Sequence, residues 1–333
     1  MQLAQTFQER FHLYEQIRDF FKSRGFVEVE TPLLVESPDL SPSLSHFVTT
    51  QRRACRQAGL NAVPAGRQDS TTERLSLITS PEFSMKKLLG QGMEKIFTLT
   101  KVFRHGEADT GQHMREFMML EWYEQGSDYL QGMRQTEELV RFCLSPSQFF
   151  IHNSSLPRIH LPTRFLELTG IDYADASIDD MRQACERLGL ATDVSDTWSD
   201  LFHRIFVTHI ENPTPGVGLM GFVYDFPRQQ AALARLTPDG KYAERFELYL
   251  NGLELCNAFT ELTDPLEQRA RFEEELAERL RLGKETFPID EELLSLLPSV
   301  RKPTFGNALG IDRLLMLKLG IKNINALHYG FSK

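Results

Sequence analysis

Residues 245–262 read RFELYLNGLELCNAFTEL, and this stretch decides the fold. Two runs rich in apolar and aromatic residues flank the dipeptide Asn-Gly at 251–252. Asn-Gly in this context is a strong hairpin signal, because both residues tolerate the positive φ angles of a type I′ turn. Pairing across the turn places Tyr249 opposite Glu254, with Glu247 diagonally on the same face, roughly 7–8 Å away. The sequence therefore predicts an antiparallel hairpin that presents two carboxylates together.

Helical and strand patterns extend on both sides of this hairpin. Apolar residues at helical spacing predict an amphipathic helix over about residues 6–24, which Gly25 ends. Residues 26–30 alternate as a strand, and longer β-like runs at 95–103 and 116–123 flank a polar loop. The remaining elements are a helix beginning at Pro81, helices within about 128–212, a strand at 222–226, and helices over about 265–282 and 310–319. Few strands alternate with helices, which favours an α+β fold with a mainly antiparallel β-sheet flanked by helices.

Composition narrows the possible functions. The chain has 333 residues, a formal net charge of -9 and 41% hydrophobic residues. No run approaches the roughly 20 apolar residues of a membrane-spanning helix, so no membrane function is expected. The first residues, MQLAQTFQERF, lack the basic and apolar regions of a secretory signal, which predicts a cytoplasmic protein. The acidic excess argues against a protein whose main role is to coat nucleic acid.

Cysteine and arginine positions give two further expectations. The cysteines at 55, 143, 185 and 256 form no CxxC pair, so we expect buried thiols rather than a zinc site or a disulfide framework. A polar segment over about 51–74 holds several arginines among Gly, Pro, Ser and Thr. It is either a solvated surface insertion or a local basic patch that contacts a partner.

Three further segments are ordinary when taken singly but informative as an ordered set. They are RGFVEVETPLL at 24–34, VFRHGE with HMREF within 102–117, and GNALGIDRLLML at 306–317. In this order they resemble motifs 1, 2 and 3 of the class II aminoacyl-tRNA synthetases, which implies the catalytic domain of that class as the fold. The segments that resemble the lysyl-tRNA synthetase branch in particular are 79–89, 118–125 and 245–273.

Activation of a carboxylate by ATP brings two anions together, so the site needs fixed cations at the point of attack. Arg104 is the candidate for bridging the carboxylate and the α-phosphate, because a planar guanidinium binds two oxygens at once. The resemblance implies that Arg313 holds the γ-phosphate, and both arginines are expected to be catalytic. The other implied ATP contacts are Glu107, His113, Phe117, Glu254, Leu255 and Gly310.

The second motif departs from the usual Arg-x-Glu pattern. Two residues separate Arg104 from Glu107, so either Gly106 or Glu107 takes the place next to the adenine. The resemblance implies that His113 approaches the triphosphate and that Phe117 stacks on the base. It also implies a role for Gly310, which would let the backbone come close to the nucleotide.

Glu247 and Glu254 are the candidate metal ligands. Two carboxylates on one strand face suit Mg²⁺ shared with phosphate oxygens, since this ion prefers oxygen ligands. The simpler alternative is a pair of solvated strand carboxylates. Strict alternation would place Asn257 and Glu261 on the other face, although the resemblance puts them in the same pocket. This conflict predicts a β-bulge between Glu254 and Asn257.

The resemblance also implies a pocket for a lysine-like amino acid. Glu121, Tyr123 and Glu261 match residues that contact the lysine ε-amino group in the synthetases. Glu82 matches the residue that receives the α-amino group, and Asn257 matches one that helps to hold the carboxylate. Carboxylates and an aromatic ring in a partly closed pocket suit an ammonium group. The predicted amino-acid-binding set is Ser80, Glu82, Glu121, Tyr123, Asn257, Phe259 and Glu261.

The resemblance covers a catalytic core, which predicts one class II synthetase-like domain over 1–333. It would carry the polar insertion at about 51–74, a helical insertion at about 128–215, and no anticodon-binding domain. This organisation resembles the lysine ligases of elongation factor P, which activate (R)-β-lysine and transfer it to a lysine side chain of that factor. ATP, Mg²⁺ and elongation factor P are thus the expected substrate, cofactor and partner. We also expect a homodimer and no stable tRNA binding.

Other functions stay open. A stand-alone ligase similar to lysyl-tRNA synthetase would use α-lysine with another acceptor. An amidating enzyme of the asparagine synthetase type shares the fold, but the carboxylates of the lysine pocket argue against it. An inactive regulatory paralogue is disfavoured because Arg104, Glu254, Glu261 and Arg313 are all present. The sequence leaves open α- or β-lysine, the enantiomer and the acceptor lysine.

Overall fold

The computed structural model describes residues 3–52, 72–106, 111–144, 155–212 and 218–328. These residues form an α+β fold built on a large β-sheet that has helices on both faces. The predicted fold class is therefore confirmed. Among the described residues, no helix is both long enough and apolar enough to cross a membrane.

The strands of the described ranges belong to two sheets. They are β1 (Val27–Glu28), β2 (Leu34–Val35), β3 (Val48–Arg52), β4 (Thr72–Leu77), β5 (Lys95–Phe103), β6 (Glu116–Gln125), β7 (Arg158–His160), β8 (Gly221–Pro227), β9 (Tyr242–Leu250), β10 (Leu253–Thr260) and β11 (Thr304–Gly310). The large sheet has eight strands in the order β1-β5-β6-β11-β10-β9-β8-β7, and the small sheet has three in the order β2-β4-β3. In the large sheet, β1–β5 and β7–β8 pair in parallel and the other pairs are antiparallel, as predicted.

Helices connect the strands and cover the sheet. They are α1 (Leu3–Lys22), α2 (Glu82–Gly90), α3 (Tyr129–Cys143), α4 (Leu161–Thr169), α5 (Ile178–Arg187), α6 (Trp198–Ile205), α7 (Pro265–Arg281), α8 (Glu291–Leu296) and α9 (Ile311–Leu319). A π-helix, Phe206–Glu211, follows α6. Capping boxes at Ser177 and Thr197 begin α5 and α6, which satisfies backbone donors at both helix starts.

The two faces of the large sheet carry separate hydrophobic cores. The first core packs α1, α3 and α9 against residues such as Phe246 and Leu248. The second packs α4 to α7 against residues such as Val223 and Tyr249. Successive side chains of a strand point to opposite faces, so Leu248 and Tyr249 belong to different cores. The candidate site lies on the second face.

The predicted hairpin is confirmed at the turn and in its register. Asn251 and Gly252 have φ angles of 55° and 74°, as a type I′ turn requires. Tyr249 on β9 pairs with Glu254 on β10. The turn chemistry read from the sequence therefore fixes which residues of the two strands face each other.

The predicted β-bulge is confirmed as well. The register of β9 and β10 shifts between Glu254 and Cys256, and Asn257 then pairs with Glu247. The extra residue returns the second half of β10 to the face of Glu247. As a result, residues on both sides of the bulge belong to one site.

Some predicted boundaries are wrong by a few residues. Helix α1 begins at Leu3 and ends at Lys22, rather than covering 6–24. The first strand shortens from the predicted 26–30 to β1, because only its first residues pair with β5 before Pro32 prevents a longer ladder.

Sequence reasoning missed the three-stranded sheet and β7. Strands β3 (VTTQR) and β4 (TERLSL) are polar, and they pair at the two ends of the predicted insertion at 51–74. Residues 53–71 of that insertion lie outside the described residues. Arg74 on β4 forms an ion pair of 2.5 Å with Glu285. The choice between a solvated insertion and a basic patch stays a prediction.

The cysteines that the structure describes agree with the expected buried thiols. Cys143, Cys185 and Cys256 are buried and form no disulfide. Burial raises the pKa of the Cys143 thiol to about 12, which keeps that sulfur protonated at neutral pH. Cys55 lies outside the described residues.

Candidate active site

The candidate site lies where β6, β11, β10 and β9 run side by side. Strand β6 supplies Glu121 and Tyr123, and β10 supplies Asn257. Ser80, just before α2, and Glu82, the first residue of α2, complete this group. A cavity of about 340 Å³ opens beside these last two residues and reaches the protein surface.

Glu121 is fully buried at the centre of the amino-acid region. Oγ of Ser80 donates a hydrogen bond of 2.5 Å to Oε1 of Glu121, and the hydroxyl of Tyr123 donates one of 3.0 Å to Oε2. The backbone N–H of Glu82 donates to Oγ of Ser80 at 3.0 Å. Burial, with the negative charge of Glu82 added, raises the pKa of Glu121 to about 8. A cation placed nearby would stabilise its charged form.

A buried ammonium group, that of Lys86, lies between two predicted site residues. Lys86 on α2 is 2% exposed, and its Nζ lies 2.7 Å from Oε1 of Glu82 and 2.5 Å from Oε2 of Glu261. The same Nζ lies 5.5 Å from the centre of the Phe259 ring. Burial disfavours the charge of Lys86, but the two carboxylates outweigh burial and raise its pKa. Burial also raises the pKa of Glu261, to about 8, although Lys86 opposes that rise.

The close packing around Glu261 depends on Gly306 in β11. A Cβ atom at this position would collide with Oε1 of Glu261 and would lie 2.6 Å from Cε1 of Tyr123. Gly306 pairs with Tyr123 on one side and with Phe259 on the other. A glycine therefore lets a carboxylate and an aromatic ring approach the same point of the sheet.

Glu247 lies next to the amino-acid region on β9. Nη2 of Arg245 donates to its Oε1 at 2.6 Å, and the hydroxyl of Tyr249 donates to its Oε2 at 2.7 Å. Nε of Arg245 also donates to Oδ1 of Asn257 at 2.8 Å. One guanidinium thus links a predicted metal ligand to a predicted amino-acid contact. Burial raises the pKa of Glu247 to about 7, and the charge of Glu254 adds to the rise while Arg245 opposes it.

The second predicted metal ligand, Glu254, has a side chain that is 40% exposed. A third carboxylate, Glu211 at the end of the π-helix, is close enough to act on both glutamates. Burial and the charge of Glu254 raise the pKa of Glu211, and Glu211 contributes to the rise at Glu247. In the described ranges, no group of three or more His, Cys, Asp or Glu is arranged to hold a metal ion. Two carboxylates nevertheless suit Mg²⁺, which keeps several oxygen ligands from water or phosphate.

Arg313 projects from the first turn of α9 toward the bulged strand β10. Its Nη1 donates to the backbone carbonyl of Glu254 at 2.7 Å and lies 3.5 Å from the carboxylate of that residue. Its Nη2 lies 3.0 Å from Nε2 of His113, and its Nε donates to the carbonyl of Gln112 at 3.3 Å. A Cβ atom at Gly310 would make an ordinary contact of 3.6 Å with Cδ of Arg313. Arg313 therefore ties the hairpin to the loop before β6.

Arg104 lies between the predicted amino-acid and nucleotide regions. Its guanidinium carbon is 5.3 Å from the centre of the Phe117 ring, the predicted platform for the base. On the other side, its positive charge opposes the rise in the pKa of Glu121. Glu107 lies outside the described residues, so the choice between Gly106 and Glu107 at the adenine stays open.

The predicted amino-acid residues fall into one region, and the described ATP residues lie beside it. Leu255 packs its side chain into the first core, which leaves only its backbone for a nucleotide. Sequence reasoning missed Lys86 and Arg245, although each had a local signal. Lys86 follows Glu82 by four positions in a helical segment, and Arg245 precedes Glu247 by two positions in a strand, so each pair shares a face.

Two other members of the site were also missed. Gly306 belongs to the third motif, but only the fold reveals that it packs against Glu261 and Tyr123. Glu211 comes from the helical region between β7 and β8, and its sequence surroundings carry no signal that connects it with Glu247. Contacts of this kind depend on tertiary structure rather than on local pattern.

Comparison with known proteins agrees with this arrangement. A family model described as tRNA synthetases class II (D, K and N) matches residues 1–329. The chain belongs to this class II synthetase family. The match spans all three segments that resemble the motifs of the class. ATP use follows from family membership.

Curated relatives within the class II synthetases cover nearly the whole chain. The protein named elongation factor P--(R)-beta-lysine ligase from Vibrio parahaemolyticus is 36% identical over 321 residues, which are 95% of this chain and 92% of that protein. The ligase of the same name from Avibacterium paragallinarum is 37% identical over 324 residues, with 96% and 93% covered. The Proteus mirabilis ligase is 34% identical over 316 residues, with 94% and 90% covered.

Proposed function

We propose that this protein is an ATP-dependent ligase that activates (R)-β-lysine as its adenylate and transfers it to a lysine side chain of elongation factor P. The main support is the acidic pocket formed by buried Glu121 and Glu261 and half-buried Glu82, in a chain that is 34% to 37% identical to ligases of that name. Buried carboxylates need compensating positive charge. An amino acid with two ammonium groups supplies it.

Each ammonium group has candidate partners in the pocket. Glu121, held by Ser80 and Tyr123, and Glu261 would receive the group at the end of the substrate side chain. Glu82 would receive the amino group nearer the carboxylate. Asn257, which Arg245 orients through a hydrogen bond of 2.8 Å, would contact the carboxylate itself.

The first half-reaction joins the amino-acid carboxylate to ATP. A carboxylate oxygen attacks the α-phosphorus, the bond from that phosphorus to the bridging oxygen breaks, and pyrophosphate leaves with the electron pair. Arg104, between the two regions, would neutralise the charge that develops on the α-phosphate oxygens. Arg313, held by Glu254 and His113, would bind the departing phosphates. Fixed arginines reduce the repulsion between two anions and keep them aligned.

Glu247 and Glu254 fit a magnesium ion that accompanies ATP. Carboxylate oxygens are the ligands that Mg²⁺ prefers. Burial raises the pKa of Glu247, and the charge of Glu254 adds to the rise, so a cation between the two carboxylates would stabilise the ionised form of Glu247. When bound, the ion would neutralise phosphate charge and so allow ATP to approach this acidic part of the site.

The second half-reaction transfers the acyl group to the acceptor. The neutral ε-amine of a lysine attacks the carbonyl carbon of the adenylate, and the bond from that carbon to the phosphate oxygen breaks. AMP leaves with the electron pair, and the new amide nitrogen gives up a proton to solvent. A flexible lysine side chain on a protein partner would enter the site from the surface to reach this carbon.

We also propose that the protein is a homodimer. Strand β1 is the edge of the large sheet, and apolar side chains in its vicinity are exposed. Val27 is 51% exposed, and Leu33 and Leu34 are 39% and 46% exposed. An apolar edge with unpaired backbone groups suits an interface with a second copy of the chain.

ATP–pyrophosphate exchange tests the activation step. The exchange should require Mg²⁺ and should be fastest with (R)-β-lysine, compared with (S)-β-lysine, α-lysine and norleucine, which lacks the terminal ammonium. Exchange with α-lysine alone would favour a ligase similar to lysyl-tRNA synthetase. Exchange with none of these amino acids would favour an inactive paralogue and overturn the proposal.

A further inference from the structure

Lys86 is a buried cation that the proposed chemistry does not use. It is 2% exposed, and its Nζ lies within 2.7 Å of one carboxylate oxygen from Glu82 and 2.5 Å of one from Glu261. Those two glutamates come from different elements, one from α2 and the other from the segment after β10. The ammonium group therefore joins the helix to the sheet across the amino-acid pocket.

A buried ammonium of this kind is costly to keep unless its partners are fixed. Removing a charge from water costs several kcal/mol for each ion, and the cost is offset only when geometry and charge are well matched. The backbone of α2 fixes the position of Lys86, and the four-residue spacing brings Glu82 to the same side of the helix. Gly306 in turn leaves room for the carboxylate of Glu261.

Charge balance in the pocket indicates what Lys86 contributes. Glu121 and Glu261 are buried, and the side chain of Glu82 is 15% exposed. The three glutamates carry three negative charges when ionised, and Lys86 carries one positive charge, which leaves a net charge of -2. The negative charge of Asp39 adds to the rise in the pKa of Glu82, and the positive charge of Arg104 opposes the rise in the pKa of Glu121. The two ammonium groups of a lysine-like substrate would balance these two charges, while its carboxylate would lie outside this set, toward Asn257 and Arg104.

We propose that Lys86 is a positioning residue that holds Glu82 and Glu261 at a fixed separation, and so sets the pocket for an amino acid with two ammonium groups. This inference rests on the proposed activation of a lysine-like amino acid. Lys86 acts through the two glutamates and touches neither ATP nor the reacting carboxylate. It follows that Lys86 governs the KM for the amino acid and leaves the KM for ATP unchanged.

The test compares Lys86→Met with Lys87→Met in the exchange assay. Lys87 is a matched control, because it lies one position further along α2 and also pairs with two acidic residues, Asp290 and Glu292. Lys86→Met should raise the KM for the amino acid by roughly tenfold or more, as expected when one partner of a buried pair is removed. Lys87→Met should change this KM by no more than about twofold, because its ion pairs are more exposed.

A pH series distinguishes positioning from a merely structural role. Without Lys86, the facing carboxyls lose their counter-charge and hold protons to higher pH, so the KM of Lys86→Met should fall more steeply than that of wild type as pH rises. The groups that face Lys86 are Glu82, Glu261 and Asp39, and the charge of Glu121 acts in turn on Glu261. A constant ratio between the two KM values across this series would contradict the inference.

Lys86→Arg covers the case in which Lys86→Met fails to fold. It keeps the positive charge but replaces a compact ammonium with a wider planar group. We expect it to fold, to keep the wild-type KM for ATP, and to raise the KM for the amino acid at least about fivefold. Wild-type KM values for the amino acid in either folded variant would overturn the inference while leaving the proposed function intact. An inactive wild-type protein would overturn both.

Discussion

Nη1 of Arg313 lies 2.7 Å from the backbone carbonyl of Glu254, at the point where the β-bulge interrupts strand β10. The same atom lies 3.5 Å from the carboxylate of Glu254. This contact connects the first turn of α9 to the hairpin that carries the predicted metal ligands. The orientation of Arg313 is therefore fixed before any nucleotide binds, which reduces the ordering needed at the moment of reaction.

We expect Arg313→Ala to reduce ATP–pyrophosphate exchange by at least about a hundredfold, the scale for loss of one preorganised charged partner. Arg313→Lys should restore little of the activity, because an ammonium cannot contact the Glu254 carbonyl and a phosphate in the same planar geometry. Circular dichroism would verify that both variants fold. Near-normal exchange in folded Arg313→Ala would contradict the role of Arg313 in nucleotide binding.

A second prediction concerns the pH dependence of amino-acid binding. Burial raises the pKa values of Glu121 and Glu261 from 4.5 to about 8. Between these two values, both carboxyls are protonated in the ligand-free folded protein but ionised in the unfolded chain. The contribution of these two carboxyls to the free energy of unfolding is fully present below pH 4.5 and is lost as the pH rises through about 8. A substrate with two ammonium groups favours the ionised carboxyls, and its binding therefore releases protons.

The KM for the amino acid should consequently fall as pH rises from about 6 to about 8, while the KM for ATP serves as the internal control. Calorimetry of amino-acid binding in buffers with different ionisation enthalpies would measure the released protons directly. A binding enthalpy that is independent of the buffer at neutral pH would contradict this prediction.

Gly306 provides a third prediction. Gly306→Ala should raise the KM for the amino acid, because the added methyl group collides with the carboxylate of Glu261 and the ring of Tyr123. Gly132→Ala is the matched control, since its Cβ would collide with Phe305 in the first core, away from the pocket. Overpacking at either site should cost about 1–3 kcal/mol of stability. Equal KM values in the two folded variants would show that Gly306 does not shape the pocket.

The proposed homodimer gives a fourth prediction. Sedimentation at micromolar concentration should report twice the 38.3 kDa mass of the chain. Val27→Asp should weaken the dimer, because it places a charge on the exposed edge strand. Val194→Asp is the control, since Val194 is 96% exposed in the region between α5 and α6. A wild-type monomer with full activity would contradict the proposed dimer.

The sequence predicted the fold where local chemistry determined the structure. The Asn-Gly turn determined the register of β9 and β10. Strict strand alternation would place Asn257 on the face opposite Glu247, although both belong to the predicted pocket, and this conflict located the bulge after Glu254. The small sheet was missed because β2 has only two residues and β3 is polar, so neither shows the usual strand pattern. Short strands of this kind are stabilised by their partners rather than by their own sequence.

The candidate site was predictable only in part. The resemblance assigns Glu82 and Glu121, from two separate segments, to one pocket, and in the structure the charge of Glu82 acts on Glu121. Lys86 was missed because a lysine on a helix is usually solvated, and only the position of Glu261 on another element reveals that it is buried. Glu211 belongs to the site through tertiary structure alone.

The net charge of -9 provides little attraction for the phosphates of RNA, so any binding of tRNA should be weak and should decrease steeply with salt. A protein acceptor needs only one lysine side chain to enter the site. The two acceptors can therefore be compared in a single reaction that contains both.

The most direct test is the mass of elongation factor P after incubation with this protein, ATP, Mg²⁺ and (R)-β-lysine, in the presence of total tRNA. We expect the mass of the factor to increase by one β-lysyl group, with no amino acid attached to the tRNA. Omission of ATP, or use of Arg313→Ala, should abolish the increase. Efficient charging of tRNA with an unchanged mass of elongation factor P would contradict the account.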